Sequence, residues 1–522
     1  MFVMNKLFFN RVFFTERNMR KVLFVFMTLI LPYMAYGVEV DGINYELNEV
    51  DKTAQVRNKS GAKYSGHLVI PPDIKVDEVP YTVTGIMPYA FNRCDNLESV
   101  SIPESVTALY EWTFLECYSL DTLFIHKKLT HIDYGAFRYC PSLASIVVDP
   151  DNPVYDSRQG CNAVIMKEND TLILGCKATV IPEGVSYIGD YAFMGCDYIS
   201  SISIPNSVKG IGKSAFASCN NLTDINIPEG LTEICSGAFF ECFSLESISI
   251  PKSVTYIDEN AFDRCSVISS IVVDKDNAFY DSRQDCNAII ETASDKLIAG
   301  GLATVIPNDV KSLGSESFSQ RDITSITIPG NVEVIGTGAF YYCQELTSVT
   351  ILEGVKSIGE MAFMFDESLV SVTIPSTVTG IGSSAFSICD NLKEFTCLAD
   401  TPPVCSKYTF GNLAECTLMV PENSISLYEA DAVWGKFGHI VKIGGTTGVA
   451  HADLDNLSIQ VNDGVLIISG LQDGERVSAY TMDGVLQGTA TAIAGTASLN
   501  LPKGSVLLVR SSDESGISLL VE

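Results

Sequence analysis

The chain has 522 residues and a net charge of −29, from 34 Lys plus Arg against 63 Asp plus Glu. That length exceeds one hydrophobic core, which stops growing near ~250–300 residues, so a repeat array or several domains is expected. The charge argues against a phosphate backbone as partner, and an apolar fraction of 46% argues against disorder.

The first predicted element is an export signal over residues 1–37. Arg20 and Lys21 form a basic start, Val22 to Leu31 an apolar run, and Ala35-Tyr36-Gly37 a small-x-small cleavage site. The apolar run is about half the ~20 residues that a bilayer span needs. Met19 sits immediately before the basic start and is the expected start of the chain. No cysteine follows the cleavage site to carry a lipid, and nothing downstream reads as a membrane span. The mature chain is expected to begin at Val38 and to be secreted, extracellular or displayed at the cell surface.

Residues 38–90 read as an N-terminal cap, with strands at 42–47 and 66–70. From 91 to 421 the chain repeats. Phenylalanine recurs at 91, 114, 137, 193, 216, 239, 262, 318, 340, 363 and 386, in steps of 23, once of 22 and twice of 56. An apolar residue, usually followed by proline, keeps phase with it from Ile102 to Val420; its two steps of 33 account for the steps of 56. One coil is legible between Leu97 and Phe114. Leu97, Val100 and Ile102 point inward from a short strand, while Ser99 and Ser101 point out. Pro103 ends that strand, Val106 and Leu109 bury the return leg, and Phe114 fills the interior. A coil cannot cover its own apolar face, so neighbours stack and their strands form a parallel sheet. Fourteen such strands would extend about 65 Å.

The repeat resembles the BspA-type leucine-rich repeat, in which Leu-x-x-Ile-x-Ile-Pro-x-x-Val-x-x-Ile-Gly precedes Ala-Phe-x-x-Cys. Residues 222–242 carry it with Leu231 for valine and Cys235 for glycine, and residues 369–389 match more closely, ending Ser-Ala-Phe-Ser-Ile-Cys. The resemblance covers roughly residues 40–443. It implies a solenoid with a parallel sheet on one face and irregular or short helical turns on the other. It also implies a bacterial, exported, surface-associated protein whose role is adhesion to host proteins or other cells.

Residues 422–443 are expected to cap the last coil, with Tyr428, Trp434 and Phe437 as the plug. Residues 444–456 read as a Gly-rich linker. Residues 457–522 alternate in short strands around Asp463-Gly464 and Asp483-Gly484 turns, the pattern of a small β-sandwich. The stretches 477–486 and 503–510 resemble the C-terminal sorting domain of type-IX-secreted proteins, although Ser505 and Val506 replace an aromatic position and the end is not basic.

Nine of the 16 cysteines lie three residues after a repeat phenylalanine. A residue locked to the repeat is a rung of an internal ladder, so these are expected to be free, buried, small apolar fillers. Asp366 replaces one of them without disturbing the period. Cys397, Cys405 and Cys416 fall off this rung and are expected to pair.

The two 33-residue coils share Asp156-Ser157-Arg158-Gln159 and Asp281-Ser282-Arg283-Gln284. No histidine stands near either serine to act as base, so both read as hairpins. Asp149-Pro150-Asp151-Asn152 and Asp274-Lys275-Asp276-Asn277 open like calcium loops but lack the turn glycine and distal glutamate, so they read as turns. No catalytic, cofactor or metal motif is present; the chain reads as a non-enzyme without cofactor.

The expected contact surface is the outward strand face, represented by Ser203, Ser249, Thr327, Thr350 and Thr373 with Phe124 as the aromatic exception. Two readings follow. One is an adhesin-like binder of an extracellular protein; the other is a glycan-binding or structural cell-surface component. Sugar sites favour several exposed aromatics, and the sheet face offers mainly Phe124, which favours the protein ligand.

Overall fold

The structure, a computed structural model, describes residues 37–443 and, beyond them, strands between 458 and 520. The export signal, the linker and both Asp-Gly turns lie outside the described residues. The chain forms two compact units. The first holds the described residues up to Glu168 together with Leu174–Thr179, and the second holds Asn169–Ile173 and the residues from Val180 onward. Both are built from stacked coils with three hydrogen-bonded sides, a leucine-rich-repeat solenoid with little helix.

The first side is the main parallel sheet. In the first unit Gly66–Val69, Leu97–Ser101, Thr122–Ile125 and Ser145–Val148 pair in that order. In the second unit the strands Ser325–Ile328, Ser348–Ile351, Ser371–Ile374, Glu394–Cys397, Thr417–Val420 and His439–Lys442 form the longest run. Alternation decides which side chains are buried: Ile326, Val349 and Val372 point in, while Thr327 points to solvent. The repeat proline then starts a turn, as Val254 N–H donates to the Pro251 carbonyl at 3.2 Å and Val332 N–H to Pro329 at 3.0 Å.

The return side holds these turns and also a second parallel ladder of two-residue strands. Tyr187–Ile188, Gly210–Ile211, Glu233–Ile234 and Tyr256–Ile257 are paired in register. The third side is the Ala-Phe-x-x-Cys arc. Phe216 N–H donates to the Ala238 carbonyl at 2.8 Å and Ser218 N–H to Phe240 at 2.7 Å. Ser214 and Ser218 flank Phe216 with φ of 51° and 56°. A left-handed non-glycine residue costs about 1–2 kcal/mol, and here it turns a backbone N–H along the stack, where the next coil supplies its acceptor. Gly237 and Gly338 occupy the same site without that cost.

Phenylalanine rings fill the interior as a column. Phe193, Phe216, Phe239 and Phe262 stack at 5.0, 5.6 and 5.3 Å with planes within 5° of parallel. Each offset pair adds about 0.5–1.5 kcal/mol beyond burial. In the second unit the column is interrupted at the coil that carries the hairpin Ala288–Glu291 and Lys296–Gly300. Gly300 there leaves room for the next ring: a Cβ on it would run into the Phe318 ring. The returning strand Lys296–Gly300 also serves as a rung, pairing in parallel with Ser312–Leu313.

The ends are closed by aromatics. A five-stranded sheet (Gly37–Val40, Ile43–Asn48, Thr53–Val56, Asp73–Val76 and Val79–Ile86) precedes the coils, and Tyr64 meets Phe91 edge-on at 5.3 Å. Gly66–Val69, a strand within the segment read as the N-terminal cap, covers the first coil by pairing in parallel with Leu97–Ser101. At the other end the helix Ile425–Ala430 and the turn Trp434–Lys436 bury Tyr428 and Trp434, with Trp434 at 5.1 Å from Phe410. Between 458 and 520, Ser458–Asn462, Val465–Ser469 and Thr496–Asn500 form one antiparallel sheet. Leu486–Thr491, Arg476–Tyr480, Val506–Arg510 and Gly516–Leu520 form another.

The cysteines contribute more than bulk. Cys219, Cys242 and Cys265 are fully buried, and each S–H donates to the phenylalanine carbonyl one coil back (Phe193, Phe216 and Phe239) at 3.1–3.2 Å. Burial pushes the Cys219 and Cys265 thiols up to about 12, so they remain protonated donors. Cys397, Cys405 and Cys416, expected to pair, are free thiols. Cys397 sits opposite Ile374 in the main sheet and 3.0 Å from the Tyr428 hydroxyl. Cys405 sits opposite Ile381 in the second ladder. Cys397 and Cys405 thus occupy apolar rungs of the two ladders.

Candidate functional site: the outward face of the main sheet

The residues singled out from sequence fall on strands whose geometry follows from the repeat. Strict register places Thr327 opposite Thr350, Thr350 opposite Thr373, and Thr373 opposite Thr396. Ser325, Ser348 and Ser371 form a parallel row beside them. Thr327 is exposed, and Thr350 and Thr373 are half-buried by their neighbours. Ser203 is exposed on Ser201–Ser203, opposite Asn226, and Ser249 is exposed on Ser247–Ile250, opposite Val272. These five lie in the second unit, and the three threonines form one continuous row. Phe124 lies in the first unit, 51% exposed and opposite Val147, itself half exposed.

Sequence reading missed two extensions of this face. Thr396 and Met419 continue the threonine row on strands whose inward ends, Cys397 and Val420, the repeat marks. Asp224 and Asn226 belong to it through Asp224–Asn226, a strand the repeat marks but whose outward residues are neither Ser nor Thr.

The chemistry of the face is nearly neutral. Along the main-sheet strands from Ser201 to Val420, Asp224 and Glu394 are the only charged outward residues, and no lysine or arginine occurs there. In a chain of net charge −29, that leaves hydroxyls, methyls and a few apolar side chains on a regular sheet.

The hairpin residues are engaged in building the fold. Asn152 Nδ2 donates to the His126 and Leu129 carbonyls, and its Oδ1 accepts from Val154 and Tyr155 N–H, each at 2.9 Å. Asn277 does the same with Pro251, Val254, Phe279 and Tyr280. Arg283 pairs with Asp281, Asp295 and Asp309, and the Ser282 hydroxyl donates to the Ala288 carbonyl at 2.6 Å. A cavity of about 370 Å³ lies beside the second hairpin, lined by Tyr256, Asp258, Glu259, Glu291 and Ser315 among others. Glu259 is held there by Lys296 at 2.6 Å, and the cavity includes none of the outward sheet residues. Among the described residues, no helix is long and apolar enough to cross a membrane.

Among solved structures, the chain is similar to a leucine rich cell surface protein from Faecalibacterium prausnitzii, at 23% identity over 78% of this chain and 95% of that one, with a TM-score of 0.45. The pneumococcal vaccine antigen PcpA is similar at 18% identity over 79% and 99% of the two chains, with a TM-score of 0.42. A leucine-rich repeat protein from Bacteroides ovatus is similar at 22% identity over 78% and 100%, with a TM-score of 0.35. No curated protein matches. Six copies of the repeat described as "BspA type Leucine rich repeat region" match residues 73–158, 175–285 and 303–418, more than half of the sequence, and the chain therefore belongs to the BspA-type leucine-rich repeat family.

Proposed function

We propose that this is an exported, surface-exposed binding protein that presents the outward face of its main sheet to an extracellular protein ligand, in the manner of an adhesin. The observation that carries this reading is the in-register row Thr327, Thr350, Thr373 and Thr396 on a face nearly free of charge. A stacked sheet is rigid before it meets a partner, so association does not have to order it. Hydroxyls and methyls on such a surface suit broad, closely fitting contact, and the scarcity of charge makes that contact weakly sensitive to salt. The best-known role of the family, adhesion to proteins or other cells, supports the same conclusion. The leader at residues 1–37, with Met19 as start, supports delivery to the cell exterior; sequencing the mature N-terminus from the native host is expected to give Val38. Residues 457–522 serve as an accessory module outside the binding face.

The test is a panel of purified extracellular-matrix proteins and an array of glycans, probed with the full mature chain at low and physiological salt. Capture by a protein on the panel, changing little with salt, is the expected result. Capture confined to glycans would replace this reading with the glycan-binding one.

A further inference from the structure

We infer that Asp366 is a neutral carboxylic acid standing in for a cysteine thiol, its proton supplying the donor that sulfur supplies on the neighbouring rungs. On the rungs to either side of Asp366, the residue three after the repeat phenylalanine is a donor aimed at the phenylalanine carbonyl one coil back. Cys343 is that donor below Asp366, bonding Phe318 at 3.0 Å, and Cys389 is the donor above, bonding Phe363 at 3.1 Å. Asp366 occupies the rung between them with no exposed surface. Its Oδ1 accepts the Cys343 N–H at 2.8 Å, and its Oδ2 is buried without a partner.

An ionised carboxylate has only acceptors to offer, and no donor meets Oδ2, whereas the thiols on the neighbouring rungs each donate to the phenylalanine carbonyl one coil back. A protonated Oδ2 restores the donor and matches the thiol's role. The titratable groups facing it are the Cys343 thiol from the coil before and the Cys389 thiol from the coil after. Beyond Cys343 lies Arg321, whose guanidinium donates to the Gly300, Ser319 and Phe262 carbonyls. No ion pair among the described residues includes Asp366. Burial accordingly holds its carboxyl well above the usual carboxylate range.

The proton gives the rung a pH dependence that a thiol rung lacks near neutrality. Opening the coil wets Asp366, which then ionises at its ordinary pKa of ~4. Between that value and the raised folded pKa, each opening event releases a proton, so the closed state is favoured at low pH and loses ground as pH rises. The strand that follows in the same coil, Ser371–Ile374, carries Thr373, and the same proton therefore bears on the proposed contact face.

Hydrogen exchange on the full mature chain between pH 5 and 8 tests this. The probes are the Cys343 amide, bonded to Asp366 Oδ1, and the Leu369 amide, bonded to the Asp366 carbonyl. After correction for intrinsic exchange, protection in the wild type is expected to fall by about tenfold per pH unit relative to Asp366→Asn, whose amide keeps donor and acceptor without a titrating proton. The infrared difference between wild type and variant at pH 7 is expected to show a protonated carboxylic acid. Asp366→Cys, which restores the majority rung, gives the same two comparisons should Asp366→Asn fail to fold. Identical pH dependence in wild type and variant, or a difference spectrum with only ionised carboxylate bands, would overturn the inference.

Discussion

Two stretches of the second unit solve one problem differently. The coils ending in Cys219, Cys242 and Cys265 put a thiol on every rung, each aimed at a phenylalanine carbonyl. The coils from Phe318 to Phe386 place Arg321, Cys343, Asp366 and Cys389 on the same rung. Backbone geometry is conserved through both, with Phe318, Phe340, Phe363 and Phe386 stacked at 5.0–5.1 Å. Arg321 reaches the Phe262 carbonyl at 3.0 Å across the hairpin coil, a span too long for a thiol. The difference teaches that the rung carries a hydrogen-bond donor of suitable reach, and sulfur is one way to supply it. On the thiol rungs the donor adds a second hydrogen bond to a buried carbonyl that already accepts a backbone N–H from its own coil, as Phe193, Phe216 and Phe239 do.

The comparison breaks most visibly at Arg321. Replacing it with leucine removes donors to three buried carbonyls, and chemical denaturation is expected to show a loss of about 3–5 kcal/mol. A loss below about 1 kcal/mol would mean that those carbonyls find other partners. Cys242→Ala is expected to cost less, about 1–2 kcal/mol, from one lost donor and a small cavity. Cys242→Ser, which keeps a donor, sharpens the point: it should be the milder change, and a loss as large as alanine's would make volume the deciding quantity.

What could be read in the sequence and what could not follow the same division. Contacts between neighbouring coils repeat in phase, so the inward Ile and Val positions, the phenylalanine column and the buried cysteine rungs were all legible. Contacts that leave the phase were not. Arg321 meets Phe262 across a hairpin. The thiol's donor role was also hidden, because a filler and a donor produce the same buried cysteine in a repeat. The face residues were legible as outward positions; the continuous threonine row needed the register, and its last members follow an irregular coil.

A smaller effect separates the two stretches by pH. Burial and the neighbouring Asp263 push the Glu316 carboxyl from 4.5 up to about 7. Its folded pKa lies above the unfolded one, so the stability linked to its proton is full below about pH 4.5 and is lost as pH rises through about 7. Thermal melts of Glu316→Gln are therefore expected to decline less than wild type between pH 5 and 7. Equal decline would place the titration elsewhere.

The central claim is that the main sheet's outward face makes the contact. The most direct measurement compares Thr350→Arg/Thr373→Arg with Val334→Arg, a substitution at an exposed position on the second ladder, for binding to whichever protein the panel captures. Thermal melts of both variants are expected to stay close to wild type, since all three positions face outward from their sheets. The account predicts that the threonine pair loses binding at least about tenfold, the scale of ~1.4 kcal/mol, while Val334→Arg retains it. Full binding by the threonine variant, or loss confined to Val334→Arg, would contradict it.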